Sequence, residues 1–384
     1  MKCVFITGGS GFLGREMILR LMRSDDQTQL ALLMRPGRKE SAQERVAELV
    51  QRLFGKDDAA RYLPRIQAIA GDLTLPELGI NSRDRQWLVR SVTHVMHLGA
   101  STDFGAPIEI SRHYNVEGTR SVLDLCSEAW NLGRLERVDY ISTAYVAGTK
   151  SGQVSESDLM RGQSFANSYE QSKFEAELLV REFASVIPTA IHRPSVVVGN
   201  SRTGFTPHFK VLYWPLRLLA KRLLPFFPVS RKAFLDVVPV DFVADSMHAI
   251  MFDPTAIGKT FHLTAGYGLE AKLVEVVRDS YKFAGVPKIP MIPCWMFDFI
   301  AKTRLRKLFR EEFWDAVDMA SPYRDYVYGT GVRFENEATR VWLAERGIAA
   351  PIWRDYSAAI LGFCKTSHWG KRLPRPEAEY YQLA

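Results

Sequence analysis

Residues 2–14 read KCVFITGGSGFLG, an apolar run that passes into a glycine-rich turn and then into a segment with helical spacing. This order predicts a buried strand, a tight turn and a helix. A glycine trio also occurs in ordinary strand–helix turns. Here, however, the glycines would bring the backbone close to a phosphate and direct the free N–H groups of the helix at it. The stretch therefore predicts a dinucleotide pyrophosphate site formed by Thr7, Gly8, Gly9, Ser10, Gly11, Phe12, Leu13 and Gly14.

The alternation of apolar runs and amphipathic segments continues to about residue 200. It predicts strands over residues 2–7, 29–35, 65–70, 93–98, 137–142 and 189–193, and helices over 12–23, 41–54, 113–132 and 169–185. Strands and helices that alternate at this spacing form a parallel sheet with helices on both faces, joined by right-handed crossovers. We therefore predict an α/β fold with a Rossmann-type, doubly wound parallel sheet.

The alternation ends near residue 200, and the remaining sequence predicts a second region. Residues 1–200 form the predicted dinucleotide-binding domain, and residues 236–265, with a helix over 241–251 and a strand over 259–264, return to it. Residues 201–235 and 266–384 are rich in aromatic and basic side chains. We predict that they form a smaller, mostly helical substrate-binding cap and C-terminal region over the carboxyl edge of the sheet.

The composition excludes several classes of protein. The 384 residues are 47% hydrophobic and 24% charged, which is typical of a globular chain and excludes a disordered or fibrous one. The four cysteines include no CxxC pair, and His94 and His97 would point to opposite faces of a strand, so we predict no metal site. The chain has no signal-peptide pattern and no membrane-spanning run, so we expect a soluble, cytoplasmic protein with reduced thiols.

The net charge of +7 at pH 7 favours an anionic partner. The basic residues do not form the continuous runs of a nucleic-acid-binding tail, so we expect no nucleic acid. A phosphorylated cofactor, an acidic carrier protein and a lipid surface all remain open as partners. Both a monomer and a homodimer remain open as well.

The end of the second predicted strand reads MRPGRK, over residues 34–39. A site for NAD would place an acidic residue about 20 residues after the glycines, to bind the ribose 2′-hydroxyl. This chain has Arg35 there, and an arginine attracts the 2′-phosphate that a carboxylate would repel. Arg38 or Lys39 would supply a second contact, unless the segment is only a solvated basic loop. These residues predict NADPH as the cofactor.

A candidate proton donor stands in YEQSK, over residues 169–173. Tyr169 and Lys173 are four residues apart on a predicted helix and so share one face. A lysine ammonium beside the phenol would lower the pKa of the tyrosine and suit it to acid–base catalysis near neutral pH. Ser142 and Thr143 stand at the end of a predicted strand, and a hydroxyl there could bind the substrate oxygen beside Tyr169.

Seven segments occur in the order and spacing of one known family: TGGSGFLG (7–14), GDLT (71–74), HLGAST (97–102), YNVEGT (114–119), STAYVAG (142–148), YEQSK (169–173) and HRPSVVVG (192–199). Over about residues 2–265 the chain thus resembles the extended short-chain dehydrogenase/reductase family.

This resemblance implies roles for individual residues. Tyr169 would be the acid, and Lys173 would hold the nicotinamide ribose. Thr143 would supply the catalytic hydroxyl, with Ser142 as the alternative, and Asn115 would sustain a water-mediated proton relay. The implied cofactor contacts are Asp72 and Leu73 at the adenine, Gly99, Ala100 and Ser101 at the pyrophosphate and ribose, and Pro194 and Val197 beside the nicotinamide.

Within that family the chain is most similar to the thioester-reducing branch, which comprises fatty acyl-CoA reductases and terminal reductase domains of carrier-protein assembly lines. The insert RPGRKESAQERVAELVQRLFG (35–55), the STAY form at 142–145 and the tail over 323–370 carry this similarity. It implies NADPH-dependent reduction of an acyl-CoA or acyl-carrier-protein thioester to an aldehyde and, if the aldehyde stays bound, to a primary alcohol. The alternatives are a sugar-nucleotide or steroid-type dehydrogenase or epimerase of the same fold, and a non-catalytic NADPH-binding regulator.

Residues 205–236 combine apolar and basic side chains, and residues 295–314 have a similar mixture. We expect an acyl pocket with a basic mouth that suits CoA, a carrier protein or a peripheral membrane contact; a packed helix with a solvated basic face is the alternative. The expected apolar wall comprises Phe205, Phe209, Tyr213, Trp214, Leu216, Leu219 and Leu223. The expected mouth comprises Arg217, Lys221 and Arg222.

Overall fold

A computed structural model describes residues 2–209, 211–285, 287–329 and 331–383. The strands are β1 (Cys3–Thr7), β2 (Gln29–Met34), β3 (Ile66–Ala70), β4 (His94–His97), β5 (Arg137–Ile141), β6 (Gly152–Val154), β7 (Thr189–Pro194), β8 (Val196–Val198), β9 (Phe227–Pro228), β10 (Phe234–Leu235), β11 (Val237–Pro239), β12 (Thr260–Leu263), β13 (Ala271–Lys272), β14 (Met291–Ile292) and β15 (Val332–Phe334). The helices are α1 (Phe12–Ser24), α2 (Ala42–Phe54), α3 (Lys56–Tyr62), α4 (Ser82–Ser91), α5 (Ile108–Arg112), α6 (Gly118–Asn131), α7 (Ser168–Phe183), α8 (Tyr213–Ala220), α9 (Val240–Met251), α10 (Leu273–Ala284), α11 (Cys294–Lys302), α12 (Glu311–Ala320), α13 (Arg324–Tyr328), α14 (Glu337–Ala344), α15 (Trp353–Thr366) and α16 (Glu377–Leu383).

Of the described strands, seven form one parallel sheet in the order β12-β7-β5-β4-β1-β2-β3. β1 lies between β2 and β4, with Val4 opposite Leu30 on one side and opposite His94 on the other. The chain winds from β1 to β3 in one direction, crosses back to β4 and continues to β12 in the other. The predicted doubly wound α/β sheet is confirmed, and its reversal point, where this fold binds ligands, lies between β1 and β4.

The sheet is apolar on both faces because helices cover both of them. In β1, Val4 and Ile6 point into a core shared with α1, α2 and α9, whereas Phe5 points into the core beneath α4 and α6. This alternation follows from the two-residue period of a strand. It fixes β1, with the glycine-rich turn at its end, in the middle of the sheet.

The helix predicted over residues 113–132 begins earlier than expected and is interrupted. α5 ends at Arg112, His113–Glu117 form a π-helical turn, and α6 continues to Asn131. A π turn contains one extra residue, which an apolar pattern with a period of 3.6 does not reveal. The turn carries Asn115, whose side chain is buried.

The cap is built around a second apolar core, to which α8, α10, α12 and α15 contribute. The predicted division of the chain needs one correction, because part of the tail packs on the sheet domain instead. Trp342 of α14 and Tyr380 of α16 lie in the core of the sheet domain, where Tyr380 stacks on Phe205 with 4.8 Å between ring centroids. Burial of these aromatic rings, rather than their order along the chain, decides which core they join.

The described residues contain no helix that is both long and apolar enough to cross a bilayer. Cys3, Cys126 and Cys364 are buried, Cys294 is half-buried, and all four are free thiols. In the described part of the chain, no three His, Cys, Asp or Glu side chains form a group that could hold a metal ion.

Candidate active site

A cavity of about 630 Å³ opens at the carboxyl edge of the sheet, beside the reversal point between β1 and β4. One end contacts the residues that follow β2, and the other end runs under the cap. A volume of this size is within the range of cofactor and ligand sites.

The glycine-rich turn forms one wall of the cavity, and two of its glycines cannot be replaced without a clash. Gly8 has a φ of +74°, and a Cβ there would lie 2.7 Å from the backbone nitrogen of Gly99. A Cβ on Gly14 would overlap the carbonyl oxygen of Gly8. Of the predicted loop contacts, Ser10, Gly11, Phe12 and Leu13 also line the cavity.

Helix α1 begins at this turn, and its first N–H groups face the cavity. Gly11 is its N-terminal cap, with an extended backbone, and no described side chain caps the helix. Uncapped N–H groups at a helix start attract an anion. The turn therefore fits the pyrophosphate of a dinucleotide, as predicted.

Thr7 and Gly9 do not line the cavity, and Thr7 holds two strands together instead. The Thr7 hydroxyl is 2.5 Å from His97 Nδ1 and accepts the N–H of Gly99 at 3.1 Å. His97 Nε2 is 3.0 Å from the Thr119 hydroxyl. Burial lowers the pKa of His97 to about 3, so its imidazole is neutral. The Thr7 hydroxyl ties β1 to β4, and its cofactor contact stays a prediction.

Two arginines line the end of the cavity that is formed by the residues after β2. Arg35 Nε lies 2.6 Å from Asp72 Oδ2, and Arg45 donates to the carbonyl oxygen of Arg35. Burial alone would raise the pKa of Asp72, but hydrogen bonds from Thr74 and the charge of Arg35 hold it below its ordinary value. Arg35, Arg45 and Asp72 line the cavity, whereas Arg38 does not.

Arg45 was missed in the sequence, although a local signal was present. Ser41 and Glu44 form a capping box that starts α2: the Ser41 hydroxyl accepts the N–H of Glu44, and Glu44 accepts the N–H of Ser41. The S-x-x-E pattern therefore places residue 45 in the first turns of a helix that begins beside Arg35.

Leu73, Gly99 and Ala100 line the cavity as predicted, but Ser101 does not. The backbone of Ser101 is bound by Asn115 instead: Asn115 Oδ1 accepts the Ser101 N–H at 2.7 Å, and Asn115 Nδ2 donates to the Ser101 carbonyl at 3.1 Å. Asn115 Nδ2 also donates to the Ser172 hydroxyl at 2.9 Å. The amide is thus fully engaged away from the cavity, and its geometry fits a positioning residue rather than a direct member of a proton relay.

Tyr169 and Thr143 come together on the cavity wall. Asn167 caps α7 by accepting the N–H of Glu170, which puts Tyr169 in the first turn. Burial raises the pKa of Tyr169 to about 12, and the nearby Thr143 hydroxyl, which donates to the Pro194 carbonyl at 3.4 Å, partly opposes this rise. The Ser142 hydroxyl, in contrast, donates to the buried Glu177 at 2.6 Å. The geometry therefore favours Thr143 over Ser142 beside the reacting oxygen.

Lys173 does not lower the pKa of Tyr169, so this expectation is wrong. Its Nζ donates to Tyr140 Oη and to the Ile141 carbonyl, both at 2.7 Å, and lies 4.2 Å from the Tyr140 ring centroid. Burial lowers the pKa of Lys173 to about 7, although the charge of Glu177 opposes this effect. The oxygens nearest to Lys173 Nζ are the Tyr140 hydroxyl and the Ile141 carbonyl, both on β5. Tyr169 stays protonated at neutral pH, as a proton donor must.

A buried ion pair fixes the wall between Thr143 and Pro194. Arg193 Nη2 lies 2.6 Å from Glu177 Oε1, and both side chains are almost inaccessible to solvent. Glu177 stands on α7 with Tyr169, and Arg193 stands on β7 immediately before Pro194. Pro194 and Val197 line the cavity as predicted. The pair therefore sets the distance between the helix that carries Tyr169 and the strand end expected beside the nicotinamide.

Aromatic side chains from distant segments roof the cavity near Tyr169. Phe104 stacks on Tyr169 with 5.3 Å between ring centroids, and also contacts Tyr326 of α13 and Tyr323. Tyr326 donates to Glu170 Oε1 at 2.6 Å, and burial raises the pKa of Glu170 to about 7. The cap is thus hydrogen-bonded to the helix of Tyr169.

Of the expected apolar wall from residues 205–236, Tyr213 lines the cavity, Leu216 lines a narrower apolar space beside it, and the other members line neither. Phe205 belongs to the core of the sheet domain, and Leu216 and Leu219 to the core of the cap. Arg217 and Lys221 lie on a second cavity. Sequence periodicity identifies an apolar face, but it does not say which core that face joins.

The fold and the glycine-lined cavity define a protein of the extended short-chain dehydrogenase/reductase class, whose members bind a nicotinamide dinucleotide. Within that class the chain belongs to the male sterility protein family, whose model matches residues 6–247.

Relatives with curated names are 26–30% identical to this chain over the aligned residues. The fatty acyl-CoA reductase wat of Drosophila melanogaster is 28% identical over 282 residues, which cover 66% of this chain and 54% of the relative. The nonribosomal peptide synthetase asaC of Aspergillus flavus is 28% identical over 334 residues, which cover 76% of this chain and 31% of the relative. The chain thus spans about half the length of the fatty acyl-CoA reductases it matches.

Solved structures confirm the fold. The terminal R domain from the myxalamid PKS-NRPS biosynthetic pathway matches with a TM-score of 0.81 and 24% identity, over 97% of this chain and 92% of that one. A dTDP-glucose 4,6-dehydratase of Bacillus anthracis, in complex with NAD, matches with a TM-score of 0.63 and 14% identity, over 96% of this chain and 98% of that one.

Proposed function

We propose that the chain reduces an acyl thioester with NADPH, yielding an aldehyde and, when the aldehyde stays bound, a primary alcohol. The observation that carries this proposal is geometric: Tyr169, stacked against Phe104, lies with Thr143 in one cavity with a glycine cradle for a dinucleotide. Relatives named as fatty acyl-CoA reductases support it.

The residues on the cavity fit the cofactor. The turn from Gly8 to Gly14 would hold the pyrophosphate, because no described side chain caps the N–H groups that begin α1 there. Arg35 and Arg45 would hold the 2′-phosphate, and Lys173 the nicotinamide ribose. Bound there, the reduced nicotinamide supplies a hydride to the carbonyl carbon of the thioester.

Tyr169 and Thr143 would supply the proton and stabilise the negative charge that develops on the carbonyl oxygen. As the carbonyl oxygen becomes negative, Tyr169 donates its phenolic proton to it and Thr143 donates a hydrogen bond. The product is a hemithioacetal. When its C–S bond breaks, the electron pair leaves with sulfur as a thiolate, the hydroxyl proton returns to the Tyr169 phenolate, and the aldehyde carbonyl forms. Lys173, with a pKa near 7, stands behind Tyr169 as a cation that orients the ribose.

A narrow, mainly apolar space of about 20 Å³ continues from the cavity behind Tyr323 and Tyr326, between α8 and α10. Acyl carbons that enter it would gain up to about 0.8 kcal/mol for each buried methylene. A panel of acyl-CoAs from acetyl to stearoyl, with NADPH oxidation and product identification, tests the function. This space holds about one methylene, so we expect kcat/KM to rise over the first acyl carbons that reach it and then to level off. The proposal fails if no thioester is reduced while a nucleotide sugar or steroid is turned over. It also fails if NADPH binds and none of these substrates is turned over.

The choice of cofactor gives a first prediction. Because Arg35 rather than an acidic residue follows β2, with Arg45 beside it and Asp72 paired to it, NADPH should bind about tenfold more tightly than NADH, or by about 1.4 kcal/mol. Arg35→Ser should remove most of this preference. Arg38→Ser, which removes the same charge from a side chain outside the cavity, is the matched control. Equal dissociation constants of NADPH and NADH in the unmodified protein would refute the assignment.

In addition to CoA or a carrier protein, we propose that the protein contacts an anionic membrane surface. In and after α11, Trp295, Phe299 and Leu308 are 70%, 56% and 75% exposed, and Lys302 and Arg304 lie between them. Exposed apolar side chains beside cations are typical of interfacial segments.

Vesicle sedimentation tests the membrane contact. The protein should bind vesicles that contain phosphatidylserine more strongly than vesicles of phosphatidylcholine alone. Replacing Trp295, Phe299 and Leu308 by serine should reduce binding at least severalfold, whereas Met160→Ser, which changes an equally exposed side chain elsewhere, should not. Equal binding of the triple variant and the unmodified protein would contradict the contact.

A further inference from the structure

A second cavity, of about 350 Å³, lies outside the candidate active site, among α8, α10, α15 and the segment that follows α15. Four cationic side chains line it, and no acidic residue does: Arg217, Lys221, Lys365 and Lys371. Across the described residues, none of these four forms an ion pair with a carboxylate. Arg217 is half-buried and the three lysines are exposed, so the four cations give this concave space a positive potential that attracts an anion.

The floor of this cavity is apolar and partly aromatic. Phe283 of α10 and Trp369 line it, beside the buried Leu216 and Leu361. His368 and Trp369 have φ values of 50° and 59°, in the left-handed region that side chains other than glycine rarely adopt. The backbone N–H of Trp369 donates to the Cys364 carbonyl at 2.8 Å, and this hydrogen bond stabilises the turn. The fold thus fixes an indole ring beside the cations, and an indole offers a stacking surface to a nucleobase.

One helix, α8, contributes lining residues to both the second cavity and the candidate active site. Tyr213, at the start of α8, lines the first cavity, and Arg217 and Lys221 follow one and two turns later on the same face. At 1.5 Å per residue they lie about 6 Å and 12 Å further along the helix axis. An extended pantetheine arm between thioester sulfur and first phosphate is roughly 15 Å long, at about 3.6 Å for each three bonds. An arm of this length that runs along α8 from a thioester beside Tyr213 would bring the CoA phosphates to these cations.

We propose that the second cavity binds the 3′-phosphoadenosine diphosphate end of acyl-CoA, with its phosphates on the four cations and its adenine against Trp369. This inference rests on the proposed function and names the thioester carrier as CoA. The charges favour CoA over a carrier protein, since the nucleotide end supplies several phosphates and a carrier-bound arm supplies one. The concave shape among three helices also suits a small nucleotide better than the surface of a protein.

Binding of the nucleotide end alone tests the site without any turnover. Adenosine 3′,5′-bisphosphate is titrated calorimetrically into the full chain, with saturating NADP⁺ present to occupy the first cavity. We expect the dissociation constant to rise at least tenfold in Arg217→Ala/Lys221→Ala. Arg278→Ala/Lys282→Ala is the matched control, because it removes two cations from α10 that do not line the cavity. Equal affinity in the two double variants would overturn the proposal.

Kinetics with two forms of the same acyl group provide the second test. The ratio of kcat/KM for acyl-CoA to that for acyl-pantetheine, which lacks the nucleotide, should fall at least tenfold in Arg217→Ala/Lys221→Ala and stay unchanged in the control. An unchanged ratio would overturn the proposal, and so would a loss confined to acyl-carrier-protein substrates, which would indicate carrier docking. If no thioester is reduced at all, the proposed function fails, while the bisphosphate titration still decides the cavity.

Discussion

Replacing Tyr169 by phenylalanine should lower kcat at least a hundredfold and leave the dissociation constant of NADPH within about twofold. General acid catalysis typically contributes 10²- to 10⁴-fold, and the phenol would act on the substrate oxygen rather than on the cofactor. The pKa of about 12 means that the group is protonated over the whole neutral range, so the loss should not depend on pH between about 6 and 9. Stopped-flow NADPH oxidation and fluorescence titration measure the two quantities.

Tyr356→Phe serves as the control for this change. Tyr356 is equally a buried tyrosine, but its hydroxyl donates to the Val237 carbonyl at 2.8 Å and it does not line the cavity. Its loss should affect stability without a hundredfold loss of turnover. If Tyr169→Phe keeps near-full turnover, Tyr169 is not the acid.

Replacing Arg193 by methionine should lower the free energy of unfolding by about 3 kcal/mol, because it leaves the buried carboxylate of Glu177 with Arg181, whose side chain is 32% exposed, as its remaining ion-pair partner. Burial alone would raise the pKa of Glu177, and the charge and hydrogen bonds of Arg193, together with the Ser142 hydroxyl, hold it below its ordinary value of 4.5. A lowered carboxyl pKa stabilises the fold above the unfolded-state pKa, and this contribution is lost as the pH falls through the folded-state value. The effect should therefore be complete at pH 7 and shrink in acid.

Urea denaturation at pH 7 measures the change, and two further variants make the result interpretable. Arg52→Met breaks the exposed pair of Arg52 and Glu48 on α2, whose side chains are about half exposed, and should cost less than about 1 kcal/mol. The double variant Arg193→Met/Glu177→Leu removes both charges and should recover part of the loss. A loss below about 1 kcal/mol for Arg193→Met alone would show that the pair does not stabilise this wall.

The parts of the site that could be predicted from the sequence are those built within one short segment. The turn from Gly8 to Gly14 follows a strand and opens a helix, and Tyr169 and Lys173 share a helix face, so spacing alone specifies both. Arg35 is fixed by its distance from the glycines. In each case local geometry determines what the residue can reach.

The missed parts depend on tertiary contacts. Phe104 and Tyr326 are more than 200 residues apart in the sequence and meet only because the cap folds over α7. The preference of Lys173 for Tyr140 depends on β5 lying beside α7 in space. Asn115 faces the Ser101 backbone because of a π turn that no apolar pattern reveals. Phe205 joined the sheet core because α16 returns to it, which residues 205–236 do not indicate.

The most direct test of the proposed function is the transfer of deuterium in a single turnover. The protein is mixed with one equivalent of NADPH deuterated at the transferable position and with excess long-chain acyl-CoA, and the aldehyde is trapped with a hydrazine for mass spectrometry. The account predicts an aldehyde with one deuterium on the former carbonyl carbon, free CoA in equal amount, and loss of this product in Tyr169→Phe. No labelled aldehyde or alcohol from any acyl-CoA or acyl-carrier protein, with deuterium appearing in a nucleotide sugar instead, would contradict it.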